Sequence, residues 1–267
     1  MPDEAVPERL YRFCSVERAE QLLREGRIFF PSPADFNDPF DCKANIVFRA
    51  SKLKRERYAR ELLRRKAPQM PRQVRNKVAK KVSSKEAYTR AIERFLNRIH
   101  TSVGILSLSA RRDSILMWSH YAEKHAGVCL EFRNIANMGN PAIPPLEVQY
   151  SETNPELNFA EVEGLVDRQD AEGEAARRMV VDCIYLTKSE EWKYEKEWRI
   201  VDILGGRGFH EVRLDALSGV IFGCRTPRAE KERVKNQIEN SGAHPTLYEA
   251  LECRPSYSLE FRELRQG

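Results

Sequence analysis

The stretch Val103–Phe132, VGILSLSARRDSILMWSHYAEKHAGVCLEF, carries the clearest structural signal in the chain. Its apolar run Val103 to Leu108 has the length of a strand and ends in small polar residues. Ile115 to Lys124 is long enough for about three helical turns, and after Gly127 the run Val128 to Phe132 is again β-rich. The stretch is therefore predicted to be strand, helix, strand. Ser107, Ser109 and His120 are the polar, potentially reactive groups of this otherwise apolar unit, which makes it the expected place for a pocket.

Upstream, Leu10 to Phe13, LYRF, alternates like a short strand. A helix follows with Ala19, Leu22 and Leu23 on one face and Gly26 at its end, and then RIFF, Arg27 to Phe30, reads as a second strand. Pro31, Ser32 and Pro33 stop that strand. Phe36 to Asp41, FNDPFD, is a turn in which Asn37 and Asp38 can bond back to nearby backbone and Pro39 forces its neighbour out of the helical region. Downstream, a loop rich in Asn, Pro and Gly covers 134–145, with strands expected at Leu146–Tyr150 and Cys183–Thr187 and a helix at Ala175–Val181. Glu191 to Val201, EWKYEKEWRIV, reads as an aromatic and charged strand. Val212–Leu214, Val220–Phe222, Thr246–Leu251 and Tyr257–Phe261 are further strands, with a charged helix over Pro227–Ser241. No internal repeat is legible. The predicted fold class is α+β, with a mixed, largely antiparallel β core in a single domain over residues 1–267 and an inserted basic helical segment at residues 49–100.

That insert is the most unusual feature of the composition. Arg49 to His100 holds 18 Lys and Arg against 4 Asp and Glu, a balance of +14, whereas the remainder holds 27 against 36, or −9. Leu53, Tyr58, Leu62 and Leu63 mark one helix, Ala87, Ile92, Phe95, Leu96 and Ile99 another, with a break at Pro68 and Pro71. Two readings stay open: a solvated charged face, or a footprint for the phosphates of a nucleic acid or of a nucleotide-bearing partner.

At 41% hydrophobic and 32% charged residues the chain reads as a soluble globular protein able to bury its own core. The acidic, proline-broken start MPDEAVPERL is unlike a signal peptide, and no run approaches the roughly 20 apolar residues of a membrane span, so a cytoplasmic location is expected. The six cysteines are scattered without a CxxC pair and are expected to be reduced. His120 and His125 are five apart, which misses the spacing of a helical metal pair, and no metal site is expected. Neither GxGxxG nor GxxxxGK[ST] occurs.

The candidate chemistry lies in an ordered set: Arg12, then Ser107 and Ser109, then Glu195 and Glu197. Residues two apart in a strand share a face, so the serines are expected to point one way and the glutamates one way. Paired carboxylates raise each other's pKa and can divide labour between proton transfer and holding a cation, and an Arg offers a fork to a pyrophosphate.

Arg, Ser-x-Ser and Glu-x-Glu in that order resemble the Arg-Ser-Glu group of the ADP-ribosyltransferases. The resemblance implies that Arg12 helps hold NAD, that Ser107 with Ser109 supports the pocket, and that Glu197, assisted by Glu195, holds the nicotinamide ribose as its glycosidic bond breaks. Leu108 stands where that group has Thr. Over nearly the whole chain, LYRF, FNDPFD, MWSHYAEKHAGVCLEF and YEKEWRI resemble the bacterial family catalogued as domain of unknown function 2971. That likeness groups Asn37, Asp38, Asp41, Trp118, His120, Tyr121, Glu195, Glu197 and Arg199.

Each candidate also has a structural reading. Asn37 and Asp38 either cap a turn or touch a ligand. Trp118 and Tyr121 are core residues or, with Tyr11, aromatic surfaces for nicotinamide or adenine. His120 is a structural histidine unless a carboxylate orients it as a general base. Glu195 and Arg199 share a strand face and could form an ion-pair ladder instead of a catalytic group. The expected function is an NAD-dependent ADP-ribosyltransferase-like enzyme acting on a protein or nucleic acid in bacterial defence or toxin biology. The alternative is a non-catalytic nucleic-acid-binding module using the basic insert. An enzyme should gather Arg12, His120 and Glu197 around one cleft.

Overall fold

The computed structural model describes residues 5–135, 143–162, 165 and 168–264; most of the loop expected at 134–145 lies outside them. In chain order the first elements are β1 (Arg9–Cys14), α1 (Val16–Glu25), β2 (Arg27–Phe30), β3 (Asn45–Val47), α2 (Lys52–Lys66), α3 (Arg72–Val82) and α4 (Lys85–Ser102). Next come β4 (Gly104–Ser109), α5 (Ile115–Tyr121), β5 (Val128–Arg133), β6 (Leu146–Glu147), β7 (Gln149–Ser151), β8 (Glu156–Asn158), α6 (Phe159–Val162) and α7 (Ala171–Tyr185). The chain closes with β9 (Thr187–Ser189), β10 (Glu197–Asp202), β11 (Gly208–Glu211), β12 (Leu217–Phe222), α8 (Arg228–Ser241), β13 (Thr246–Glu252) and β14 (Leu259–Glu263).

These elements form two compact units. One holds the chain up to Asp41, Ser102–Glu152 and everything from Lys188; the other holds Cys42–Thr101 with Thr153–Thr187. The basic insert thus folds together with a later segment. Within that second unit, β3 runs parallel to β8, and Arg49 secures the pair through Asn158 and Glu156.

The first unit is built on an eight-stranded sheet in the order β14-β13-β12-β5-β1-β4-β10-β6. Its pairings are antiparallel except β12 with β13, as expected of the α+β class. Alternation in β1 explains the layering: Leu10 and Cys14 join Leu22, Leu23, Val234 and Ile238 of α1 and α8 on one face, while Tyr11 and Phe13 join Met117 and Trp118 of α5 on the other. Ser15 caps α1 by accepting from the Arg18 amide, and Gly26 ends it in the left-handed conformation at φ 60°. The quoted stretch is strand, helix, strand, with β1 lying between its two strands. The helix stops earlier than its sequence suggests, because Glu123, Lys124 and His125 all take positive φ. Cys183 to Tyr185 continue α7 and do not form the strand expected there, since apolar runs of that length suit either element and Ile184 and Tyr185 are buried in helical register. No described helix is long and apolar enough to cross a membrane.

One backbone approach is tight enough to test. A Cβ on Gly104, at the start of β4, would lie 2.1 Å from the Gly206 carbonyl oxygen. Gly104→Ala is therefore expected to cost about 1–3 kcal/mol in urea unfolding; an unchanged midpoint would show that the Gly206 loop yields freely.

Candidate functional site

The site begins with a strand pairing that is broken off. β1 pairs with β5 along its whole length, yet its register with β4 is the single pair Tyr11–Ser109. On the other side of β4, Ser109 faces Glu197 and Ser107 faces Arg199 of β10. Tyr11, Ser109 and Glu197 therefore form one cross-strand row, and Arg12 alternates to the opposite side. Where β1 and β4 part, the Arg12 Nη1 donates to the Ser107 carbonyl at 3.1 Å. A cavity of about 330 Å³ opens at this split, with Arg12, Ser107, His120, Tyr121, Glu195 and Glu197 in its lining.

Buried charge organises one wall. Arg199 is fully buried and grips two carboxylates: Nε and Nη2 donate to Glu197 at 2.7 and 2.9 Å, and Nη1 and Nη2 donate to Asp41 at 2.9 and 2.6 Å. Lys188 Nζ lies 2.5 Å from Glu195, 3.0 Å from Glu197 and 3.6 Å from Asp41. The Tyr121 hydroxyl donates to Glu195 at 2.8 Å, and the Phe36 and Trp192 rings cover the two cations. Three carboxylates thus meet two cations, and the environments decide where the surplus sits. Burial would push Glu197 up, but Arg199 and Lys188 outweigh it and hold its pKa at about 2. Glu195 is also raised by burial, Lys188 opposes this, and the charge on Glu197 adds to the rise. Lys188 loses to burial and regains more from the three carboxylates, so it stays charged. The glutamates titrate as one coupled pair in which Glu195 takes the proton.

Local structure brings Glu195 there by a route that differs from the expected one. Ser189 caps a short 3₁₀ helix, Glu190–Glu195, and Lys196 takes the left-handed conformation, φ 46° and ψ 55°, before β10 begins at Glu197. Glu195 is therefore not on the strand, and the expected shared strand face of the two glutamates, and of Glu195 with Arg199, is corrected. The ladder along β10 is Glu197 with Arg199. The Ser109 hydroxyl anchors the bend by donating to the Glu195 carbonyl at 2.6 Å, and the Glu197 amide donates to the Tyr150 hydroxyl at 2.8 Å.

Of the sequence candidates, the cavity gathers Tyr11, Arg12, Asn37, Ser107, His120, Tyr121, Glu195 and Glu197. Ser107 hydrogen-bonds Glu197, and Asn37 donates to the Tyr121 hydroxyl. His120 is exposed at the rim, its ring edge-on to Tyr121. Three candidates fall outside the lining. Trp118 is a core residue: it is fully buried, packs edge-on against Phe13 at 5.2 Å and donates to the Arg112 carbonyl, so it offers no stacking surface. Asp38 caps its turn by accepting from the Phe40 amide at 2.8 Å. Ser109 acts through the Glu195 backbone. The principal residue missed is Lys188. Its signal was a lone cation directly after the apolar run CIYLT, a position where an unpaired charge would be costly.

The two glutamates predict opposite pH effects. Ionised Glu197 stabilises the fold fully above its ordinary value of 4.5, and that contribution is lost as pH falls toward 2. Glu195, held above its ordinary 4.5, binds its proton more tightly folded than unfolded, so its contribution falls as pH rises through the elevated value. Glu197→Gln should flatten the acid limb of urea-unfolding stability and Glu195→Gln the limb above it; superimposable profiles would reject the assignment.

The segment from α5 to β10 holds most of this wall. Residues 117–200 match the family model described as Protein of unknown function (DUF2971). The DUF2971-like segment spans His120, Tyr121, Lys188, Glu195, Glu197 and Arg199, whereas Arg12 and Asp41 lie before it. No curated protein and no solved structure matches the chain.

Proposed function

We propose that the split between β1 and β4 is a nucleotide cleft and that the protein uses NAD as an ADP-ribosyl donor toward a macromolecular acceptor, protein or nucleic acid. The observation that carries this reading is Arg12. It lines the cleft, is partly buried, has its pKa pushed down by burial, and has no carboxylate partner among the described residues. A desolvated guanidinium facing a cavity is suited to a phosphate or pyrophosphate. A cavity of about 330 Å³ lies in the range of small-molecule sites, roughly 300–1,000 Å³.

NAD supplies an electrophilic ribose carbon whose bond to nicotinamide breaks with the electron pair leaving on the nicotinamide nitrogen. The chain's residues divide the remaining work. Arg12 holds the pyrophosphate. Glu197, clamped by Arg199 and Lys188, fixes the wall's charge, and Glu195 takes the proton released by the acceptor nucleophile as it bonds to that carbon. His120 stands at the rim where an acceptor enters. The charge of residues 49–100 supports a second reading, a module that binds nucleic acid whether or not the cleft turns NAD over.

Calorimetric titration with NAD tests the first reading. Saturable binding is expected in the wild type, weakened at least about tenfold by Arg12→Ala through loss of a charge-assisted contact. A wild type that binds no NAD would remove the reading.

A further inference from the structure

Helix α5 borders a second cavity on the face opposite the cleft. Met117, His120 and Tyr121 line the cleft, whereas Ile115 and Ser119, four apart, line a separate cavity of about 480 Å³, within the range of small-molecule sites. Its other wall comes from the segments after β12 and β13, with Arg225, Glu252 and Arg254 in the lining. Between the walls, Glu123, Lys124 and His125 take φ of 48°, 54° and 72°, a left-handed turn that non-glycine residues seldom adopt. The turn lays the His125 ring on Trp118, with 6.3 Å between centroids and 15° between planes, and sets Nε2 3.0 Å from the Ser119 hydroxyl. Burial, and after it the Arg225 charge, push the His125 pKa below its ordinary value, so the ring is neutral at pH 7. The charges that face this cavity are therefore those of Arg225, Arg254 and Glu252.

These charges do not neutralise one another. β12 and β13 run parallel with Phe222 opposite Glu249, and that register carried three residues further sets Arg225 opposite Glu252. Opposite charges in such positions ordinarily pair across the strands. Here the chain turns away after β12, the Arg225 amide donates to the His125 carbonyl at 3.0 Å, and Arg225 and Glu252 form no ion pair. Both charges still act inside the cavity. Arg225 lowers and Glu252 raises the pKa of His125, and the Cys224 thiol, pushed up first by burial, is raised further by Glu252 and opposed by Arg225. Arg254 likewise has no carboxylate partner among the described residues. Charges of both signs that face one cavity without meeting suit a ligand that carries both signs. Two cations and one anion sum to +1, the complement of a molecule with two carboxylates and one ammonium, and Ile115 and Leu259 offer apolar contact to the methylenes between them.

We propose that this cavity binds an acidic α-amino acid, its carboxylates held by Arg225 and Arg254 and its ammonium by Glu252. The inference does not depend on NAD chemistry in the cleft. Calorimetric titration of the full chain tests it with three probes: L-glutamate; glutarate, which keeps both carboxylates and lacks the ammonium; and L-glutamine, which lacks the second carboxylate. Saturable binding of L-glutamate is expected, with glutarate and L-glutamine each at least about tenfold weaker through loss of a charge-assisted contact. Arg225→Gln and Glu252→Gln should each weaken L-glutamate by at least about tenfold, and Glu252→Gln should abolish the preference for L-glutamate over glutarate. Arg12→Ala, in the cleft, should bind L-glutamate as the wild type does. Circular dichroism of the variants should be unchanged, because neither Arg225 nor Glu252 holds an ion pair in the fold. A wild type that binds no L-glutamate would overturn the proposal and leave the NAD reading standing. Glutarate or L-glutamine binding as tightly as L-glutamate would overturn the acidic amino acid as the ligand. Loss of L-glutamate binding in Arg12→Ala would move the ligand to the cleft and overturn the second site.

Discussion

Arg199→Ala is expected to destabilise the protein by about 3–5 kcal/mol, read as a fall in the urea midpoint. The side chain is 0% exposed and donates hydrogen bonds to both Glu197 and Asp41. Alanine would leave two buried carboxylates sharing Lys188 with a third. The cost is dominated by desolvated charge without compensation, because a buried pair is worth little over an apolar substitute while a widowed member is costly. This predicts a diagnostic non-additivity: adding Glu197→Gln to Arg199→Met should recover part of the loss from Arg199→Met alone. The exposed pair Arg213–Asp215 is the control, and Arg213→Ala should leave the urea midpoint nearly unchanged. A loss below about 1 kcal/mol for Arg199→Ala would mean that water reaches the cluster.

Such a cluster is only partly legible in sequence, and the reason is the range over which its members act. Glu197 and Arg199 could be read as neighbours because strand alternation is a local rule, and their pairing along β10 follows it. Glu195 could not be placed, because one left-handed residue, Lys196, turns it off the strand, and nothing in the alternation of YEKEW announces that turn. Lys188 was hidden for a different reason. A lysine after an apolar run looks like the solvent end of a strand, and its burial is explained only by carboxylates arriving from Asp41, 147 residues earlier, and from Glu195 and Glu197. Trp118 and Tyr121 lie three apart on one helix, yet which faces the core depends on where β1 packs. Phe13 settles that by claiming Trp118.

On the proposed reading of the cleft as an NAD-using transferase site, Glu195→Gln is expected to lower ADP-ribosyl transfer by about 10²–10⁴ while leaving NAD affinity within about twofold. The asymmetry follows from what each glutamate touches. Glu197 receives Arg199 on both oxygens, Lys188 and the Ser107 hydroxyl, so its charge is committed and its proton affinity is low. Glu195 has one cation and one phenol, and burial with the neighbouring Glu197 charge raises its proton affinity toward that of a working base. A glutamine at 195 keeps the shape and an oxygen for Lys188 while turning an amide toward Tyr121, whose hydroxyl can accept. Under the proposed roles, binding through Arg12 is untouched by that change, whereas proton removal from the acceptor is lost. The same logic fixes the pH dependence: transfer by the wild type should fall on the acid side as Glu195 gains its proton, at a pH above the ordinary 4.5, and the residual activity of Glu195→Gln should lack that limb. An acid limb that persists in the variant would move the base elsewhere, with His120 at the rim the next group to substitute. A variant retaining more than about a tenth of wild-type transfer would mean that water or the acceptor itself disposes of the proton, and the raised pKa of Glu195 would then reflect only the crowding of three buried carboxylates around two cations.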